Sequence, residues 1–359
     1  MTKSRSKNLF AILFALSACE FSSPDLPLCG NGVIEQGEIC DDGEKNSDNW
    51  GSAPRCNSSC SAIAPHCGDG ILDSETEYCE HGELNDACYA CNDDCSFCAE
   101  GSEYIESMVS IGGYSLYIAC AGLGTPTTIM EAGLNNNHID WFNIWPSVAQ
   151  HTRVCIYDRA GTGQSENGPA PRTSEMIAED LHALLQVANV SPPYLLVGHS
   201  LGGMHIRIYA RMYPDQVYGM VLVDPTHEDI KSQLEEEMSP DDWTILQSVP
   251  PDNTENVDIE ACYAQARASR HFGSRPLSVL TATGIPTYCP GDLNCVSSEG
   301  MATLIRVKTE KHAELAEMST NNRHVLLDDS RHFVQTDRPD AIIKETLDVL
   351  NAARNGNDL

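Results

Sequence analysis

Ser200 lies in the stretch Val197-Gly198-His199-Ser200-Leu201-Gly202-Gly203, where a serine hydroxyl between glycines has the surroundings that nucleophilic chemistry needs. Such a hydroxyl attacks poorly until a base takes its proton, so the chain must also supply a histidine and an acid that orients it. His332, in Ser330-Arg331-His332-Phe333-Val334-Gln335, follows a strand and precedes Pro339, and it is the expected base. His199 belongs to the serine turn itself, His205 falls on the helix after it, and His324 sits within a strand, all places suited to packing. The acid is expected to follow the end of a strand between Ser200 and His332. Asp224, directly after Val221-Leu222-Val223, is the first choice, and Asp292, in the long loop after the next strand, is the alternative. Cys289 and Cys295 flank Asp292 and are placed to close a small disulfide loop around it. The oxyanion formed by attack on a carbonyl needs two preorganised backbone N–H donors. Leu201 is expected to give one, and Leu134 or Asn135 the other.

These residues have to be positioned by strands and helices. Tyr194-Leu195-Leu196-Val197 reads as a buried parallel strand and Met204 to Met212 as a helix, so Ser200 sits on a sharp strand-to-helix turn. Gly198 and Gly202 flank it because side chains there would collide where strand and helix cross. Glu103 to Val109 and Tyr114 to Cys120 read as an antiparallel pair around Gly112-Gly113. Thr127 to Glu131, Arg153 to Tyr157, Gly219 to Val223, Leu277 to Thr281 and His324 to Leu327 complete eight strands. Helices are expected at Trp141 to Gln150, Ser174 to Ala188 and Pro339 to Ala353. That alternation predicts an α/β fold, a mostly parallel eight-stranded sheet with helices on both faces. Residues of about 225–276 break the rhythm, and their helical, acidic composition predicts a cap over the site.

From about Glu103 onward the chain resembles the serine α/β-hydrolases. The likeness is carried by the serine turn, by Glu131-Ala132-Gly133-Leu134, by Tyr157-Asp158-Arg159-Ala160-Gly161-Thr162-Gly163-Gln164-Ser165, by Val221-Leu222-Val223-Asp224 and by the stretch around His332, in the family's order and spacing. The resemblance implies ester cleavage through an acyl-enzyme, with Ser200 as nucleophile, His332 as base and no cofactor or metal. It gives Asp158 and Arg159 structural roles in a loop after a strand. Serine in place of aspartate at the turn speaks against epoxide hydrolysis and dehalogenation. In one respect the chain departs from the family, having Ala132-Gly133 where a His-Gly pair is common. Two rival readings remain open. An aminopeptidase or amidase would need cap carboxylates such as Glu235-Glu236-Glu237 to hold an ammonium group, and a surface binding protein would keep the fold as an inactive scaffold.

The sequence of 359 residues has 52 acidic against 22 basic side chains, a formal net charge of −30, which argues against a nucleic-acid partner. Residues 1–19 have a basic start, an apolar run and small residues before Cys19, the pattern of a secretory signal too short to span a bilayer. Leu16-Ser17-Ala18-Cys19 also resembles a bacterial lipobox, which makes Cys19 the expected lipidated residue and a membrane the expected partner of the anchored chain. An ordinary secreted protein is the alternative. Residues 20–28 read as a tether.

Ten of the 16 cysteines fall between Cys29 and Cys98. There Cys29-Gly30-Asn31-Gly32 returns as Cys67-Gly68-Asp69-Gly70, a period of 38 residues that predicts two modules, 29–66 and 67–98. They resemble cysteine-rich repeats of myxobacterial cell-surface proteins, which implies cell-surface partners and a surface location, and Glu20 after Cys19 points to the outer membrane. With few large apolar residues, the modules are expected to be held by disulfides rather than by a core. The hydrolase-like domain is then 99–359. Its five cysteines, at 120, 155, 262, 289 and 295, leave at least one unpaired.

Overall fold

The computed structural model describes residues 105–359 apart from 249–252, 285–286 and 290–294, together with Cys29, Ile34, 38–46, 55–61, 89–91 and 97–99. Cys19, the tether, most of the second repeat and Asp292 lie outside the described residues. The chain divides into two units, Met1–His66 and Cys67–Leu359. In the first unit Cys29 is bonded to Cys60 and Cys40 to Cys56, one bridge nested within the other. Both Cys56 and Cys60 are fully buried. The acidic pair beside them is used locally, Asp42 accepting from the Cys56 N–H at 2.7 Å and Asp41 from the Asn46 side chain at 3.0 Å.

In the second unit a short antiparallel pair, β1 (Tyr89–Cys91) and β2 (Phe97–Ala99), precedes the main sheet. That sheet is built from β3 (Ile105–Ser110), β4 (Ser115–Ala121), β5 (Thr127–Glu131), β6 (Val154–Tyr157), β7 (Tyr194–His199), β8 (Val217–Val223), β9 (Leu277–Ala282) and β10 (Asn322–Leu327). The order across it is β10-β9-β8-β7-β5-β6-β4-β3. Only the β3–β4 and β4–β6 pairs run antiparallel. Every residue of β5, β6, β7 and β9 is buried, because a central parallel strand is covered on both faces; β7 is apolar from Tyr194 to Val197, whereas β5 and β9 also bury Thr127, Thr128, Glu131, Ser278 and Thr281. Successive side chains still point to opposite faces. Leu196 packs in a core with Leu181 and Leu184 of α2 (Ser174–Val187) and Ile208 of α3 (Leu201–Met212), whereas Val197 packs in the opposite core. That second core holds Trp145 of α1 (Trp145–Ala149) and Val349 of α9 (Pro339–Asn355), a helix led in by the short α8 (Val334–Asp337). Cys120 and Cys155, directly opposite one another on β4 and β6, are bonded. Cys289 is bonded to Cys295, and Cys262 is free and buried.

The expected strands match in place, Glu103 at the start of the first lying outside the described residues. The expected antiparallel pair and mostly parallel sheet are present, and two helical stretches differ from expectation. The helix expected over 141–150 is a 3-10 turn at His138–Trp141 followed by the five-residue α1, whose Pro146 can be accommodated only near a helix start. A 19-residue helix, α7 (Ser298–Ala316), joins β9 to β10, where the apolar pattern gave no helix. It buries Lys308 and His312, residue types that hydropathy assigns to the surface. Between β8 and β9 lie α4 (Ile230–Glu237), α5 (Pro240–Gln247) and α6 (Ile259–Arg267), the helical insertion expected over 225–276. Leu234 and Met238 there share a small core with Met301 and Val307 of α7. Among the described residues no helix is long and apolar enough to cross a membrane.

Candidate active site

β7 ends at His199 and α3 begins at Leu201, so Ser200 makes the turn between them with φ 52° and ψ −123°. That conformation is unfavourable for a residue with a Cβ and persists only where the surroundings over-determine it. Here the Ser200 N–H donates to the Val223 carbonyl at 3.0 Å, and its own carbonyl accepts from Thr226 at 2.9 Å and from Gly203 at 3.1 Å. The crossing of strand and helix leaves no room for side chains. A Cβ on Gly202 would stand 2.3 Å from the Ala132 carbonyl oxygen, and one on Gly198 would stand 2.8 Å from that of Gly202. The Ser200 hydroxyl does not cap α3, and it points to His332, whose Nε2 lies 3.1 Å from Oγ.

His332 follows β10 in a loop, with about half of its side chain exposed to solvent. Its backbone is fixed by His199, which donates from Nε2–H to the His332 carbonyl at 2.9 Å and packs its ring 4.7 Å from the His332 ring. Burial first, and His332 second, push the His199 imidazole down to about 3, so this neighbour stays neutral. The second ring nitrogen of His332, Nδ1, lies 2.7 Å from Asp224 Oδ2. Since a carboxylate only accepts, Nδ1 carries the proton and Nε2 is left bare toward Ser200. Asp224, also at positive φ, follows β8 directly, and its N–H donates to the Leu280 carbonyl at 2.8 Å. Its Oδ1 accepts from the Ala282 N–H at 2.9 Å. Burial alone would raise this carboxyl, but the His332 hydrogen bond and the Lys308 ammonium outweigh it and hold Asp224 well below the usual carboxylate range.

The structure therefore joins Ser200, His332 and Asp224 in one hydrogen-bonded chain. His205 and His324 serve packing roles, bonded to Ser174 and Thr281 respectively, each at 2.8 Å. The loop after β5 lies against the serine: a Cβ on Gly133 would come within 3.3 Å of the Ser200 Cβ. In that loop the Asn135 N–H donates to the Glu255 carboxylate. Neither the Leu134 nor the Leu201 N–H has a hydrogen-bond partner among the described residues. These are the two donors expected for an oxyanion, and Asn135 is already engaged.

What fixes this loop is a buried ion cluster; of its members Glu131, Tyr157 and Arg159 stand in the motifs of the sequence, where Arg159 alone is given a structural role, and Glu255 stands in none. All five guanidinium N–H directions of Arg159 are used. Nε and Nη2 donate to Glu255 at 2.8 and 2.6 Å, Nη1 to Glu131 at 2.6 Å and the Ala132 carbonyl at 2.7 Å, and Nη2 to the Gly133 carbonyl at 2.6 Å. Tyr157 donates to the second oxygen of Glu131. Burial pushes the Glu131 carboxyl above its ordinary value against the opposing pull of Arg159 and Tyr157. Glu255 comes from the insertion between β8 and β9, some hundred residues away in sequence, and its composition gives no sign of such a role. Asp158 is likewise buried and structural, accepting from the His138 and Gln164 N–H groups at 2.8 Å each.

Among the described residues two groups bring three potential metal ligands together, Cys29 with Glu38 and Cys60, and His227 with Glu228 and Asp229. In the first both thiols are spent in a disulfide. In the second the carboxylates already carry Arg207, Arg267 and Arg270. Neither offers a free donor set.

Residues 126–259 match the family described as the alpha/beta hydrolase fold. The chain has the α/β-hydrolase fold. Among relatives, YqjL of Bacillus subtilis (strain 168) is 29% identical over 191 residues, covering 50% of this chain and 72% of its own. An AB hydrolase superfamily protein of Gibberella zeae is 30% identical over 113 residues, which span 30% of this chain and 35% of that relative. Among solved structures, ALR0039 of Nostoc sp. PCC 7120 superposes with a TM-score of 0.51 at 15% identity, over 69% of this chain and 98% of that one, a likeness of fold alone. The hydrolase fold places Ser200, Asp224 and His332 at the ends of β7, β8 and β10, one edge of a largely parallel sheet, where loops bring groups from distant sequence positions together.

Proposed function

We propose that the protein is an exported serine hydrolase that cleaves esters of small or lipid-like molecules through an acyl-enzyme. The observation that carries this reading is the chain Ser200 Oγ, His332 Nε2 and Nδ1, and Asp224 Oδ2, with contacts of 3.1 and 2.7 Å. As Ser200 Oγ bonds to the ester carbonyl carbon, its proton passes to His332 Nε2, and Asp224 stabilises the imidazolium without taking the proton. The carbonyl oxygen becomes an oxyanion facing the Leu201 and Leu134 N–H groups. Its collapse expels the alcohol, protonated by His332, and leaves the acyl group on Ser200. A water molecule, deprotonated by His332, then attacks the acyl carbon, and release of the acid restores the serine.

An amine-recognising peptidase is less well supported. Glu235, Glu236 and Glu237 are exposed on α4, and Glu237 is paired with Arg306. The same proposal takes Cys19 as the lipidated residue that anchors the chain to the cell envelope, and residues 29–98 as a spacer or surface-binding module that takes no part in catalysis.

Turnover of p-nitrophenyl butyrate compared with aminoacyl-p-nitroanilides tests the reading. Ester turnover is expected to exceed arylamide turnover by at least about a hundredfold and to fall by about 10⁴ or more in Ser200→Ala. Removal of residues 29–98 is expected to leave ester turnover intact. Preferential arylamide turnover would establish the peptidase reading instead, and turnover indifferent to Ser200→Ala would end the serine mechanism.

A further inference from the structure

Asp224 makes one contact that the triad does not require. Lys308, buried on α7, places Nζ 3.1 Å from Oδ1 and 3.2 Å from Oδ2 of Asp224, on the same carboxylate that meets His332. A carboxylate beside a histidine favours the imidazolium, and a cation bound to that carboxylate cancels part of its field. At ordinary pH the other groups facing this carboxylate and ring are neutral or already paired. His312, also on α7, keeps its Nδ1 4.0 Å from Asp224 Oδ1 and gives its Nε2–H to the Pro225 carbonyl at 2.8 Å. Its Nδ1 accepts from Thr281, whose Oγ1 in turn accepts from His324 on β10. Burial holds His312 down at about 3. From β7, His199 presents a neutral ring to His332, and Arg331, next to His332 in the chain, is paired with Asp337 of α8. Among the described residues Lys308 is thus the one permanent cation in contact with Asp224.

We propose that Lys308 is a positioning residue which acts through Asp224 to set the pH range of catalysis, keeping His332 unprotonated, and therefore able to act as a base, in more acidic surroundings than a bare Asp–His pair would allow. The proposal rests on the triad reading above. It also assigns a purpose to α7, the helix that brings the ammonium to the carboxylate that His332 meets.

The test is the pH dependence of kcat/KM for p-nitrophenyl butyrate with the full chain. Lys308→Met and Lys308→Gln are expected to move the acidic limb upward by about one pH unit, as loss of a charge that meets the ring through the shared carboxylate implies at an intermediate dielectric. Lys308→Arg, which keeps the charge, is expected to leave the limb within about 0.3 unit of its original place. An acidic limb unmoved in the folded Met and Gln variants, with turnover still dependent on Ser200, would overturn the role of Lys308 and leave the triad standing. Loss of folding in both, beside a folded and active Lys308→Arg, would make the ammonium a structural counter-ion only and would overturn it too. Absence of Ser200-dependent turnover in the unaltered chain would instead remove the triad reading, and this proposal with it.

Discussion

Asp224→Asn is expected to lower kcat/KM for p-nitrophenyl butyrate by about 10⁴, the size of effect that follows when a triad histidine is held in the wrong tautomer. The geometry makes the reason specific. Asp224 Oδ2 accepts the Nδ1 proton of His332 at 2.7 Å, and this leaves Nε2 free to receive the Ser200 proton. An asparagine can present its amide N–H₂ there, and then Nδ1 must accept and Nε2 must carry the proton. The base is thereby turned away from its task while the fold around it is kept. Stability should also fall, because the buried Lys308 loses its counter-ion, a change worth about 3–5 kcal/mol in comparable settings. Denaturation in urea separates the two effects: activity per folded molecule should still show most of the loss. A loss of less than about tenfold would mean that another carboxylate orients His332, and Asp292 would be the next to replace.

The second large effect is expected at Arg159. Arg159→Met leaves Glu131 and Glu255 buried against one another without their common cation, and breaking a buried pair in this way destabilises by about 3–5 kcal/mol. Arg159→Lys should recover little, since a lysine ammonium cannot match the planar fork that reaches two carboxylates and the carbonyls of Ala132 and Gly133. Because those carbonyls shape the loop that presents the Leu134 N–H, kcat should fall by about 10²–10³ in variants that remain folded, as when an oxyanion donor is lost. The midpoint of urea denaturation and kcat measured on the same preparations check both parts. A variant as stable and as active as the original would show that the loop holds its shape without the ion cluster.

The central strands were legible because strands covered on both faces are largely apolar, and runs such as Tyr194–Val197 and Val221–Val223 show this without any structure. The sharp turn at Ser200 was legible for a related reason, since its glycines are required by contacts as close as 2.3 Å. The third dimension of the site was much less so. α7 buries Lys308 and His312 against Asp224, and a pattern built on apolar periodicity places such side chains outside. Ser297 does cap that helix, accepting from the Gly300 N–H at 3.0 Å, and a serine followed by a helix-favouring stretch is the one local sign that was present. Glu255 is beyond such signs, because its partner Arg159 lies 96 positions away and only the folded chain brings them together. The loop after β5 shows the limit in another way. Ala132-Gly133 departs from the common His-Gly, yet the backbone geometry depends on carbonyls held by Arg159 and not on the side chain that was exchanged.

The central claim is that Ser200 is an activated nucleophile, and labelling with a fluorophosphonate followed by mass analysis of the labelled peptide tests it most directly. The account predicts one equivalent of label on Ser200 of the full chain, sharply reduced in His332→Gln and absent in Ser200→Ala. A folded protein that takes up no label, or takes it up elsewhere with Ser200 unmodified, would contradict it.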